Sequence, residues 1–223
     1  MANNPSREAI LQRIRAGLKS NPAATAPASD SASAAATSGK PIFAPVERPL
    51  ERFQQEAKAN LMEVSLTMDA AGSVQQFTRI LQSLPQGEIF VQDAPVLRRM
   101  VDAARINRPV RWSSQGGPGE PSQATVTLAD ALVAQTGSIF VTAACGGRGA
   151  SVVAPCHIVF ATTDQIVPDL QTVLRNTQQQ GKLNHNSFAC VISGSSRTAD
   201  IEKILVQGAH GPTRLVVILQ NSH

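Results

Sequence analysis

From Leu50 onward the chain alternates segments of helical and strand period, and this constrains the fold more than any other feature. Glu51 to Asn60 reads as a helix and Leu61 to Met68 as a strand, and Val74, Phe77, Ile80, Leu81 and Leu84 form a helical stripe stopped by Pro85-Gln-Gly87. Glu88 to Gln92 is a short buried strand, and the next helix turns Val96, Leu97, Met100, Val101 and Ala104 inward. Pro109 to Trp112 reads as a strand and Ser113 to Ser122 as a Gly/Pro loop. Alternation of this kind predicts an α/β fold built on an open, mostly parallel sheet.

The second half continues the pattern. Leu128 to Gln135 reads as a short helix broken at Gly137, Ser138 to Ala143 as a strand, and His157 to Ala161 as another. Gln165 to Thr177 is predicted helical with its start near Pro168, followed by the strand Phe188 to Ile192 and the turn Ser193-Gly-Ser-Ser-Arg197. A helix over Thr198 to Gln207, stopped by Gly208, and the strand Arg214 to Leu219 complete the chain.

Residues 1–40 differ in kind. Ser6 to Lys19 reads as an amphipathic helix with Ile10, Leu11, Ile14 and Leu18 on one stripe and Arg7, Arg13, Arg15 and Lys19 off it. Such a helix is marginal alone, so it docks either on its own domain or on a partner; a basic Ser/Ala-rich start also resembles an organelle transit peptide. From Ser20 to Lys40, 17 of 21 residues are Ala, Ser, Thr or Pro, the composition of a disordered tether. The expected organisation is a helix over 1–19, a linker over 20–40 and one α/β domain over 41–223, with Pro41 to Pro49 as an extended strap.

Composition removes several classes of function. The formal charge of +4 falls mainly in residues 1–40, with five basic groups against two acidic; the other 183 residues carry 15 basic and 14 acidic groups. That near-neutral body has no bulk charge for a polyanion, and seven Phe, one Trp and no Tyr argue against a base-stacking platform, so nucleic acid is not an expected partner. No apolar run approaches the ~18 residues of a membrane span. No secretory core follows Met1, so the cytoplasm is the default compartment. Cys145, Cys156 and Cys190 lack CxxC or cluster spacing, and no Walker loop or dinucleotide fingerprint is present, so no metal or cofactor is expected.

Two segments carry candidate binding chemistry. Ser193 to Glu202 joins a strand end to an expected helix start, where backbone amides and a guanidinium can hold an anion; Ser195, Ser196, Arg197, Thr198 and Asp200 are the candidates, with plain helix capping as the equal alternative. Gly146-Gly-Arg-Gly149 places Arg148 on a flexible loop, with Thr136-Gly137 and Pro155-Cys-His157 as companions; if the sheet gathers these at one edge, Arg148 and Arg197 line one pocket. A simple connection is the alternative for that loop, a hydrogen-bonded core residue for His157, and a turn anchor for His210.

The run Ala129-Asp-Ala-Leu-Val-Ala-Gln-Thr-Gly137, the entry Pro155-Cys-His-Ile-Val159, the turn Ser193 to Glu202, the turn Gly208-Ala-His-Gly-Pro212 and the opening Ser6 to Arg15 together resemble the LUD-domain family. The resemblance implies a fold similar to the ribose-phosphate isomerase and coenzyme A transferase superfamily. It further implies a bacterial component, without a redox cofactor of its own, of a system oxidising L-lactate to pyruvate with separate iron–sulfur subunits. Two positions depart from the family pattern: Ser193-Gly-Ser-Ser196 stands where Thr-Gly-Pro-Ser is usual, and Gln135 where an acid is common, which removes a possible general base. The competing reading is a stand-alone enzyme or sensor for a sugar-phosphate or folate-type ligand. The reaction step, the ligand and self-association are left open by the sequence.

Overall fold

The structure is a computed structural model that describes residues 45–119, 122–199, 205–207 and 211–222, together with Ala9, Gln12, Arg13, Arg15 and Ala16. These last five are helical and exposed, within a first compact unit spanning Met1–Ala44; Pro45–His223 form the second unit. The linker over 20–40, Asp200 and His210 lie outside the described residues.

In the second unit α1 (Pro49–Ala59) leads to β1 (Glu63–Thr67), α2 (Ala70–Gln82), β2 (Ile89–Val91), α3 (Pro95–Ala104) and β3 (Val110–Trp112). Then follow β4 (Ala124–Leu128), β5 (Ala131–Val133), β6 (Ser138–Thr142), β7 (Cys156–Thr162), β8 (Ile166–Val167), α4 (Leu170–Gln179) and α5 (Lys182–His185). The chain closes with β9 (Ala189–Ile192), β10 (Arg197–Ala199), β11 (Leu205–Gln207) and β12 (Arg214–Gln220). Six strands form an open sheet in the order β1-β12-β7-β4-β2-β3, every pair parallel, which is the expected fold class.

Helix starts follow simple chemistry. The Asp69 carboxylate accepts from Gly72 N at the start of α2, and Asp169 accepts from Thr172 N at the start of α4, while α1 and α3 open on Pro49 and Pro95. One sheet face packs against α2 and α3 through Phe77, Ile80, Leu97, Ile158 and Ile218, where the Phe77 and Phe160 rings meet edge to face at 5.4 Å. The other face packs against a second, four-stranded sheet, ordered β8-β5-β6-β9, and against Phe53 and Ala57 of α1. Arg214 donates to both carboxylate oxygens of Glu63 (2.7 and 2.9 Å) across the amino ends of β12 and β1.

Three expectations from the sequence are corrected. Leu128 to Gln135 is not helical: Leu128 ends β4, and Ala131–Val133 are β5. Leu132 packs toward the parallel sheet and Val133 beneath α4, so both faces of β5 are buried and the period of two is hidden. No helix begins at Thr198, because Arg197–Ala199 and Leu205–Gln207 pair as an antiparallel ladder that sets Thr198 opposite Val206. The predicted helix from Gln165 starts instead at Leu170, with Ile166–Val167 forming β8.

Candidate functional site

Six parallel strands put their carboxyl ends along one edge. β2 connects outward to β3 through α3, while the chain leaving β4 turns inward to β7, so the direction reverses between β2 and β4. In open α/β sheets ligands collect at such a reversal, outside the strand carboxyl ends. There Gln92 ties three elements together, its Oε1 accepting from Leu128 N (2.7 Å) and its Nε2 donating to Ala144 O (2.8 Å). Beside it Asp93 N donates to Ser113 Oγ, and the Asp93 carboxylate accepts from Arg98 Nε (2.6 Å), Arg98 Nη2 (2.7 Å) and the Ser114 hydroxyl. These bonds, those from Arg98 above all, hold the Asp93 carboxyl down at about 2.

A crevice of about 330 Å³ opens at the same edge, walled by Val96, Leu97 and Met100 of α3 and by Leu128 and Phe160 of the sheet. The N-cap of α3 is Ala94, whose side chain cannot cap it, so the first-turn amides of Val96 and Leu97 are left for a ligand or solvent. The positive end of the helix dipole there favours an anionic or carbonyl oxygen. On the rim Gln165 is fixed in place, accepting from Thr162 N (2.8 Å) and donating to Ala129 O (2.7 Å).

The residues picked out from sequence fall in three separate places. Thr136, Gly137, Ser195, Ser196 and Arg197 come together, but around the end of α1: Arg197 Nη2 donates to Asn60 O (2.7 Å), Asn60 Nδ2 donates to Thr136 O (2.9 Å), and Ser196 N donates to Pro212 O (2.8 Å). Ser195 is buried, and Thr198 lies in β10 rather than at a helix start. Arg148 is elsewhere, donating to Ser187 O (3.1 Å) with its guanidinium 5.9 Å from the Phe188 ring centre. β6 and β9 run antiparallel with Ile139 opposite Ile192 and Thr142 opposite Ala189, so Arg197 and Arg148 follow opposite ends of one strand pair and do not line a common pocket. His157 is fully buried, sharing a hydrogen bond between Nε2 and Thr127 Oγ1 (2.9 Å), and burial pushes it down to about 4, which keeps it neutral at ordinary pH.

Sequence reasoning missed Gln92, Asp93, Arg98, Asp130 and Lys182. Asp130 Oδ2 accepts from Thr142 N (2.8 Å) and Thr142 Oγ1 (2.9 Å), and Oδ1 accepts from Lys182 Nζ (3.0 Å). Its partners stand 12 and 52 positions away, so only strand register reveals them. Asp93 and Arg98, five residues apart at the junction of a strand and a helix, were the one pairing with a local signal.

Comparison with known proteins finds similarity over part of this edge. Residues 120–220 match the LUD domain. That LUD stretch runs from β4 to the end of β12, and so supplies the β4, β7 and β12 side of the crevice. Lactate utilization protein C 1 of Bacillus mycoides is 34% identical over 97 residues, 42% of each chain. Lactate utilization protein C of Deinococcus radiodurans is 34% identical over 137 residues, 55% of this chain and 62% of that one, and its counterpart in Halalkalibacterium halodurans is 31% identical over 103 residues, 45% of each. The chain thus spans about half the length of the curated relatives it matches. The crystal structure of a DUF162 family protein from Deinococcus radiodurans shares the fold, with a TM-score of 0.56 at 17% identity over 77% of this chain and 96% of that one.

Proposed function

We propose that the chain acts in lactate utilization, as a component of an L-lactate-oxidising system that carries no redox cofactor and docks on iron–sulfur partner subunits through residues 1–19. The observation that carries this reading is the similarity, at 31–34% identity, to several proteins named lactate utilization protein C. The small anion of the system binds at the carboxyl edge of the parallel sheet, its carboxylate on the first-turn amides of α3 and its apolar part against Leu128 and Met100. The uncapped start of α3 and the apolar crevice beside it support that placement.

Deletion of the gene tests the role: growth on L-lactate should fail, the purified chain should bring down iron–sulfur proteins, and normal growth on lactate would overturn the assignment. Val96→Trp tests the ligand site, since Val96 is 41% exposed at the mouth and a larger side chain there fills the crevice without touching the core. L-lactate or pyruvate should raise the melting temperature of the parent chain and leave the variant unmoved.

A further inference from the structure

Phe90, Thr125, His157 and Leu215 stand side by side in one row across β2, β4, β7 and β12. Phe90 and Leu215 point into the layer between the parallel sheet and the second sheet, so Thr125 and His157 point there too. The 3-10 turn Arg148–Ser151, the floor of the glycine-rich loop, packs on β4 from that side and sends Ala150 into the same layer. Each of these three elements brings one polar atom that is buried and has no protein partner: Thr125 Oγ1, His157 Nδ1 and Ser151 Oγ. Thr125 and His157 show no exposure and Ser151 only 5%.

Two unpartnered polar atoms side by side in one row of the sheet, and a third on the turn that packs over β4, are the lining expected of a ligand and not of a dry core, because buried polar groups are otherwise paired. We infer that Thr125, His157 and Ser151 form an internal site for one small, neutral hydrogen-bonding molecule, a water, which fastens the glycine-rich loop to β4 and β7. Water suits the set: it typically makes about three hydrogen bonds when buried. Two hydroxyls that rotate, and an imidazole nitrogen that either donates or accepts, satisfy it in either tautomer. One imidazole with two hydroxyls is a poor set for a cation, and no group of three or more His, Cys, Asp or Glu gathers among the described residues. A neutral imidazole gives an anion no charge to bind. The site lies across the sheet from the crevice and does not depend on the lactate reading.

A crystal structure of the full chain and two substitutions test the inference. Density should show a single water within hydrogen-bond distance of Thr125 Oγ1, Ser151 Oγ and His157 Nδ1. Thr125→Val and Ser151→Ala each remove one partner of that water, so each should lower the melting temperature. A dry site predicts the reverse for Thr125→Val, because the substitution then deletes a desolvated hydroxyl at constant shape. Absent density, density too large for a water, or a melting temperature unchanged or raised in both variants would overturn the site.

Discussion

Arg98 holds its guanidinium carbon 4.4 Å from the centre of the Trp112 ring while clamping the Asp93 carboxylate through two nitrogens. The cation is thus stacked on one face and fixed in its own plane, an arrangement that Lys could not reproduce. Trp112 is the chain's one tryptophan, so its emission reports this corner directly. The Asp93 carboxyl is depressed from 3.8 to about 2, so the clamp contributes fully above the unfolded value and is lost as the pH falls toward 2. Emission should stay flat from neutral pH to about 4 and change below it. Asp93→Asn should show the altered emission already at neutral pH, and a wild-type midpoint near 4 would mean that the clamp does not form in solution.

Gly137 sits at φ 58, and a Cβ there would run into the α1 backbone at Ala57 N and Glu56 C. Backbone cannot yield as a side-chain tip can. Gly137→Ala should therefore cost about 2–4 kcal/mol, from strain at positive φ plus displacement of α1, read as a lower denaturation midpoint in urea. Gly181, also at positive φ but with open space around it, should lose only about 1 kcal/mol on the same change.

Where apolar period met a one-sided environment, the sequence read true. The α2 stripe of Phe77, Ile80 and Leu81 and the inward face of α3 lie where periodicity put them, and parallel order followed from alternation. β4 was overlooked because Thr125 and Thr127 are fully buried, so a core strand looked half polar. The Ser193–Arg197 turn looked like a strand-to-helix junction because Ser, Gly and Arg fit both an anion loop and the approach to a strand; the antiparallel pairing of Arg197–Ala199 with Leu205–Gln207 decides. The carboxyl-edge site was illegible for a simpler reason. Which strand ends adjoin depends on the order β4-β2-β3, and no short motif encodes it.

The thiols are predicted to be inert in the native protein. Burial pushes Cys145 and Cys156 up from 9.0 to about 11, and it raises Cys190 as well. At pH 8 the thiolate, the reactive form, is on the order of one part in a thousand at the first two positions. A disulfide reagent such as dithiobis-nitrobenzoate should react slowly with folded protein and rapidly with all three thiols in denaturant. The raised values also fix a sign: the thiols favour folding below the unfolded value of 9.0, and that contribution is lost as the pH rises toward 11. A rapid burst of one or more thiols at pH 8 without denaturant would contradict this.

Asp130 joins the turn after β4 to β6 and α5, and its three partners are not equal. Thr142 N and Thr142 Oγ1 are tied to a fully buried residue, whereas the Lys182 side chain is 41% exposed and its attraction is screened by solvent. Asp130→Ala strands both Thr142 donors and should cost about 2–4 kcal/mol. Asp130→Asn keeps an acceptor for Thr142 and gives up the charge together with the hydrogen bond from Lys182, so about 1 kcal/mol is expected. Lys182→Met should cost less than about 1 kcal/mol, as exposed ion pairs do. Urea denaturation with an unchanged slope reads all three, and a Lys182→Met loss as large as that of Asp130→Ala would show that the ion pair, not the Thr142 hydrogen bonds, holds the turn.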